Sequence, residues 1–125
     1  MKKLGVYALA AAAAFVVAPA AQAAQYLTIT GPSGVYGDDT VSGSFERIFT
    51  FGPIAGYQIA SIDLSSIATS AETNVDFTSA TFNGVAFNIL STGTQEFRNL
   101  LQQNLINGTN TIRVTGTAGA NAAFS

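Results

Sequence analysis

From residue 25 onward the chain alternates apolar and polar positions with the period of a strand. Gln25 to Thr30 sets Tyr26, Thr28 and Thr30 against Leu27 and Ile29, and Gly31-Pro32-Ser33-Gly34 then punctuates the run. Val41 to Phe51 puts Phe45, Phe49 and Phe51 on one side of a pleat, with Arg47 among them, and Ser44, Glu46, Ile48 and Thr50 on the other. Helical spacing would scatter those three rings, so the pattern predicts a strand. Gly52-Pro53 ends it, because proline lacks the donor that a central ladder needs. Tyr57 to Leu64 is the next expected strand. Ser65 to Thr73 has no clear period and is expected to be a connection with at most one helical turn.

The sharpest local signal follows. Val75 to Phe82 and Val85 to Leu90 flank Asn83-Gly84, a pair that tolerates the positive φ angles of a type I′ turn, so a two-residue β-hairpin is predicted. Phe77 would share a face with Val75, and Phe82 would sit beside the turn. Thr94 to Asn107 reads as one short helix: Phe97, Leu100, Leu101 and Leu105 fall at helical spacing, Thr94 can cap, Glu96 suits the first turn, and Asn107-Gly108 supplies a stop. Two short strand pieces are the competing reading, since Leu-Leu and Leu-Ile pairs also suit a sandwich core. Asn110 to Thr115 is expected as a strand with Ile112 and Val114 inward, Gly116 to Asn121 as a loop, and Ala122 to Ser125 as the opening of a further strand. An opening strand without its partner would expose an edge available for self-association.

Short strands, turn signals and one helix predict a mostly β fold: a single antiparallel β-sandwich of roughly seven strands, jelly-roll or immunoglobulin-like. That domain would occupy residues 24–125, truncated before its last strand.

Residues 1–23 do not belong to this pattern. Lys2 and Lys3 precede an uncharged apolar run from Leu4 to Val17, Pro19 breaks it, and Ala21-Gln22-Ala23 places small residues at both specificity positions of a cleavage site. This is the layout of a helical signal peptide, with cleavage expected after Ala23. The competing reading is an uncleaved anchor, which needs about 20 apolar residues to cross the hydrocarbon core. The membrane is therefore expected to matter only during export, to the surface or the exterior of a cell. Without the leader, Arg47, Arg98 and Arg113 face seven acids, a net charge of −4.

That balance excludes much. The mature chain has no Lys and no basic patch, so counterion-driven nucleic-acid binding has no charges to work with. The sequence contains no Cys and no His, which removes disulfides, thiol nucleophiles and imidazole-based catalysis together. A Ser nucleophile would lack its usual base, and no enzyme is expected. A two-carboxylate hydrolase is the least excluded activity, with Asp63 and Asp76 as its pair. Asp38 and Asp39, in a Gly-rich loop, are candidate Ca²⁺ ligands, although adjacent acids in a turn have no ligand spacing of their own. Tyr26, Tyr36 and Tyr57 are candidate carbohydrate-binding rings, while Phe45, Phe49, Phe51, Phe77 and Phe82 are assigned to the core. Arg47 would stack on a ring or reach the strand's exposed end, since a buried guanidinium is costly unless fully paired. Asn107-Gly108-Thr109 matches a glycosylation sequon but reads more simply as a turn.

Four segments carry a resemblance: Gly43 to Phe51, Ile62 to Ile67, Asn74 to Gly84 and Asn107 to Thr117. Together they resemble the FxDxF family of PEP-CTERM proteins, with Phe45 and Phe49 at the motif's aromatic positions. Arg47 stands where that motif has its central Asp, so no role of that acid carries over. The family's sorting tail (Pro-Glu-Pro, an apolar helix and basic residues) does not occur in these 125 residues, and the chain reads as cut just after Ser125. The resemblance implies export in a Gram-negative bacterium and sorting linked to exopolysaccharide and biofilm, and it supplies no catalytic residues. The expectation is a non-enzymatic protein of the cell surface or extracellular matrix with polysaccharide as its partner; a carbohydrate-binding module using surface tyrosines is the alternative.

Overall fold

The alternation that sets Phe45, Phe49 and Phe51 on one side becomes the inward face of a 13-residue strand. The computed structural model describes residues 25–27, 29 and 39–125; the leader with Ala21 and Ala23 lies outside them. Among the described residues, eight strands form two sheets: β1 (Gln25–Tyr26), β2 (Asp39–Phe51), β3 (Ile59–Ile67), β4 (Val75–Phe82), β5 (Val85–Ala86), β6 (Asn88–Ser91), β7 (Gln95–Asn104) and β8 (Asn110–Phe124). A single 3₁₀ turn, Ala71–Thr73, precedes β4. The larger sheet has the order β1-β2-β8-β4-β5 and the smaller one β3-β7-β6. All pairings are antiparallel except that of β1 with β2. The ribbon β2–β3 runs from one sheet to the other and pairs with the returning ribbon β7–β8, which is the winding of a jelly roll. No helix of the described residues is long and apolar enough to cross a membrane.

The core is aromatic. Phe45, Phe49, Phe51, Phe77 and Phe82 are all buried, as their strand positions predict, and Phe87 and Phe124 join them. Phe124 is the hub: its ring stacks on Phe45 at 5.6 Å and takes Phe77 (5.6 Å) and Phe49 (6.3 Å) edge-on. Phe51 stacks on Phe82 at 6.0 Å. Such pairs contribute about 0.5–1.5 kcal/mol each beyond their burial. The Asn83-Gly84 turn forms as predicted, with φ of 49° and 84° and the pairs Thr81–Ala86 and Phe82–Val85 on either side. Fully buried Asn110 secures the neighbouring loop. Its Oδ1 accepts from Asn83 Nδ2 (3.0 Å) and from the Ile106 N–H (2.8 Å), and its Nδ2 donates to the Ile106 carbonyl (3.2 Å).

Both flanks of the sandwich are stitched. On one, the strand that leaves the Asn83-Gly84 turn changes sheets at Phe87, whose N–H still donates to the Ala80 carbonyl (2.9 Å). On the other, Ser65 of β3 and Ser125 exchange backbone hydrogen bonds of 2.8 and 3.0 Å, and Ser66 Oγ donates to the Ala123 carbonyl (3.0 Å).

Three expectations are corrected. The helix expected over 94–107 is absent, and Gln95 to Asn104 is strand β7. Its inward positions are Glu96, Arg98 and Leu100, so two charges occupy the core face while Phe97 and Leu101 point outward. The expected loop at 116–121 lies inside β8. Its small residues mark close approaches: a methyl group on Gly116 would come within 2.4 Å of the Asp76 carbonyl oxygen, and one on Gly119 within 2.3 Å of the Ala71 carbonyl oxygen. Finally, Ala122 to Phe124 do not open a new edge. They pair with Asp39 to Val41 and belong to the same strand.

The inward charges bridge the sheets. Between Phe77 and Ser79 the β4–β8 register slips by one residue, a bulge. There the Phe77 N–H donates to Glu96 Oε2 (2.7 Å), and its carbonyl accepts from Arg98 Nη2 (2.6 Å). The Arg98 guanidinium carbon also lies 5.9 Å from the Phe77 ring centroid, within cation–π range. Glu96 is 3% and Arg98 7% exposed, and Arg98 Nε has no partner. The charges are kept in the interior by what they hold.

We expect Glu96→Leu and Arg98→Met each to cost about 1–3 kcal/mol, because each leaves a buried backbone group of Phe77 without its charged hydrogen-bond partner. The double variant should cost clearly less than the two combined, as read from guanidinium denaturation. Gly116→Ala and Gly119→Ala should each lose about 1–3 kcal/mol by overpacking. Gly108→Ala, with no atom within 4 Å of the added carbon, should stay within about 0.5 kcal/mol in the same assay.

Candidate functional site

Strand alternation divides the exposed residues into two outer faces of different chemistry. On the larger sheet, cross-strand rows read Ser44–Thr117–Asp76, Glu46–Thr115–Ser79 and Ile48–Arg113–Thr81. Two pairs form within these rows: the Ser79 and Thr115 hydroxyls lie 2.6 Å apart, and Arg113 pairs with Glu46. Beside this face an open groove of about 620 Å³ runs past Asn74, Asp76, Thr94 and Thr117. Its one carboxylate, Asp76, accepts from Asn74 Nδ2 at 3.1 Å, and the hydroxyls of Ser70 and Thr73 are engaged in capping the 3₁₀ turn.

The outer face of the smaller sheet is built differently. Asp63, Asn99 and Asn88 stand in one row across β3, β7 and β6, with Asn88 Nδ2 donating to Asn99 Oδ1 (3.3 Å). The next row is Ser65, Phe97 and Ser91, with Leu90 as the extra residue of a bulge opposite Phe97. Phe97 is only half-buried and belongs neither to the core nor to the side chains packed on it. Ile67 lies diagonally across from it and is 63% exposed. Ile59 and Leu101 are exposed at the other end of the sheet. Four of the exposed large apolar side chains of the described residues thus sit on this face, on either side of a carboxylate–amide row.

The residues singled out from sequence are placed as follows. Tyr57 is exposed in the turn between β2 and β3, where Gly56 takes a φ of 84°. Tyr36 and Asp38 lie outside the described residues. Tyr26 and Asp39 enter β1 and β2 as backbone, and their side chains lie outside the description. Apart from Tyr57, the candidate tyrosine platform and the Asp38–Asp39 cation site therefore lie outside the described side chains. Among the described residues no group of three or more acids could hold a metal ion. Asp63 and Asp76 project from the outer faces of two different sheets and share no cleft, so they are not a catalytic pair in this geometry. Arg47 starts on the inward side of β2 opposite Val114, but carries its guanidinium out to the carbonyls of Thr40 (3.0 Å) and Glu46 (3.2 Å). Its charge sits away from the interior, as the cost of burial requires. Phe45 and Phe49, on either side of it, are core residues.

The sequence reading missed Phe97, Asn99 and Asn88 as surface residues. The period of two in Glu96, Arg98 and Leu100 is the available signal, masked by the helical spacing of Phe97, Leu100, Leu101 and Leu105. Comparison of the chain with family models, with curated proteins and with solved structures finds no match.

Proposed function

We propose that this chain is an exported, non-enzymatic protein of the cell surface or extracellular matrix of a Gram-negative bacterium, working in contact with exopolysaccharide. The observation that carries the reading is the three-part leader of residues 1–23, with Lys2 and Lys3 at its start and Ala21 and Ala23 at its end. Ahead of a β-sandwich that has no thiol or imidazole and displays hydroxyl and amide rows on its outer faces, such a leader supports a binding or structural role outside the cytoplasm. The resemblance of residues 43–51, 62–67, 74–84 and 107–117 to the FxDxF family of PEP-CTERM proteins points the same way.

A carbohydrate-binding module is the second reading. The smaller sheet's outer face favours it, because it combines an aromatic ring with a carboxylate and two amides.

The protein recovered outside the cytoplasm should begin at Ala24 by N-terminal sequencing, and Ala23→Arg should leave the leader uncleaved and the chain membrane-retained. Recovery of the whole of the unmodified 125-residue chain in the cytoplasm would overturn the proposal.

A further inference from the structure

We infer that the outer face of the β3-β7-β6 sheet is a binding strip for a flat, β-linked glycan strand. Asp63, Asn99 and Asn88 would grip its hydroxyls, and Phe97, with Leu90 and Ile67, would carry its apolar face. This rests on the surface reading above and names the ligand class and the site.

The argument starts from what one pyranose needs. An equatorially substituted ring has two chemical aspects: a rim of hydroxyls that donate and accept, and flat faces of C–H groups. A site for it must offer planar polar groups beside an apolar platform. Asn99 and Phe97 are two residues apart on one strand, so their side chains leave the same face about 7 Å apart, one pyranose width. Asn99 and its row partners provide a carboxylate and two amides; one Asn88 N–H is spent on Asn99 Oδ1 (3.3 Å), and the remaining amide N–H groups and oxygen lone pairs match both senses of a hydroxyl. Phe97 provides a half-buried ring with no packing duty in the core.

The reach fits a chain better than a single sugar. Both rows cross three strands, a width of about 10 Å, or about two rings of an extended glycan. The aliphatic groups continue the platform in the same direction: Leu90 lies on β6 beside Phe97, and Ile67 lies on β3 diagonal to it. A β-linkage keeps successive rings extended in one line, which rows running across three strands match and a coiled α-linked chain does not.

Other occupants fit worse. A second copy docked face to face would have to strip water from Asp63, Asn99 and Asn88, and the apolar side chains at the two ends of the sheet are separated by that polar row instead of forming one patch. A cation would find a single carboxylate in the row, where calcium takes six to eight oxygens. The larger sheet offers no equivalent, because its outer rows Ser44–Thr117–Asp76, Glu46–Thr115–Ser79 and Ile48–Arg113–Thr81 contain no aromatic ring.

The test is a titration of the 125-residue chain, purified in whichever form the host leaves it, with cellotetraose and with maltotetraose, followed by amide NMR shifts and calorimetry. Cellotetraose should bind and move the signals of residues 63, 88, 97 and 99, and maltotetraose should bind at least about fivefold more weakly. Phe97→Ala and Asn99→Ala should each weaken cellotetraose about fivefold or more, the equivalent of one lost interaction. Asp63→Asn, which keeps the shape of the row, should weaken it less than Asn99→Ala. All three positions face outward, so the dispersed amide spectrum of the unmodified chain should persist in each variant. Binding unchanged by both alanine substitutions, equal affinity for the two sugars, or a concentration-dependent dimer abolished by Phe97→Ala would each overturn the inference. Export with no glycan binding would remove this site and leave the surface reading standing. Glycan binding by a cytoplasmic chain would do the reverse.

Discussion

The two sheets are held in register by a pair of charged side chains that grip the backbone N–H and carbonyl of one residue from across the core. Glu96 takes the N–H of Phe77, Arg98 takes its carbonyl, and the guanidinium lies over the same residue's ring. Hydrogen bonds to ionised groups are roughly twice as strong as neutral ones, and an interior from which water is excluded makes their loss correspondingly severe. The contact also carries positional information that phenylalanine packing cannot. Rings tolerate small slides past one another, whereas a carboxylate and a guanidinium two residues apart on β7 accept only one alignment with the donor and acceptor of Phe77. The β4 bulge, the aromatic group around Phe124 and the side-chain-free position at Gly116 all lie beside this grip.

How much of this could be read from the chain depended on whether each strand's inward side was apolar. β2 and the β4–β5 hairpin were legible because Phe45, Phe49, Phe51, Phe77 and Phe82 alternate with polar neighbours and Asn83-Gly84 specifies its own turn. β7 was misread for the opposite reason. Its inward side is Glu96, Arg98 and Leu100, while Phe97 and Leu101 face out, so the apolar residues alone fall at helical spacing. β8 was cut short because Gly116, Ala118, Gly119 and Ala120 look like loop composition, when two of those glycines are places where other backbone comes too near for a side chain. The surface strip was hidden by the same error as β7, since a residue assigned to a helix face cannot be placed in a cross-strand row.

The two outer faces follow different rules. On the larger sheet hydroxyls and charges fill the outer rows without an aromatic ring, and the central ones pair with neighbours, Ser79 with Thr115 and Glu46 with Arg113. On the smaller sheet an aromatic ring and isolated aliphatic side chains stand beside a row of one carboxylate and two amides, the amides sharing one hydrogen bond, so apolar area and polar groups lie side by side on one face. Loops often carry recognition in β-sandwiches; here the outer face of a short sheet has the richer chemistry, and the hydrogen-bonded ladder beneath it fixes the spacing of its groups.

The order of the strands carries a consequence for how the molecule comes into being. β8 is the shared neighbour of β2 and β4, and it is the last of the eight to be synthesised. Until it arrives, the larger sheet has no middle and the pairs made over the greatest sequence distance cannot form, a topology that folds slowly. For a polypeptide exported as we propose, such lateness would be an advantage, because closure of the larger sheet would be deferred until β8 has followed β2 and β4 across.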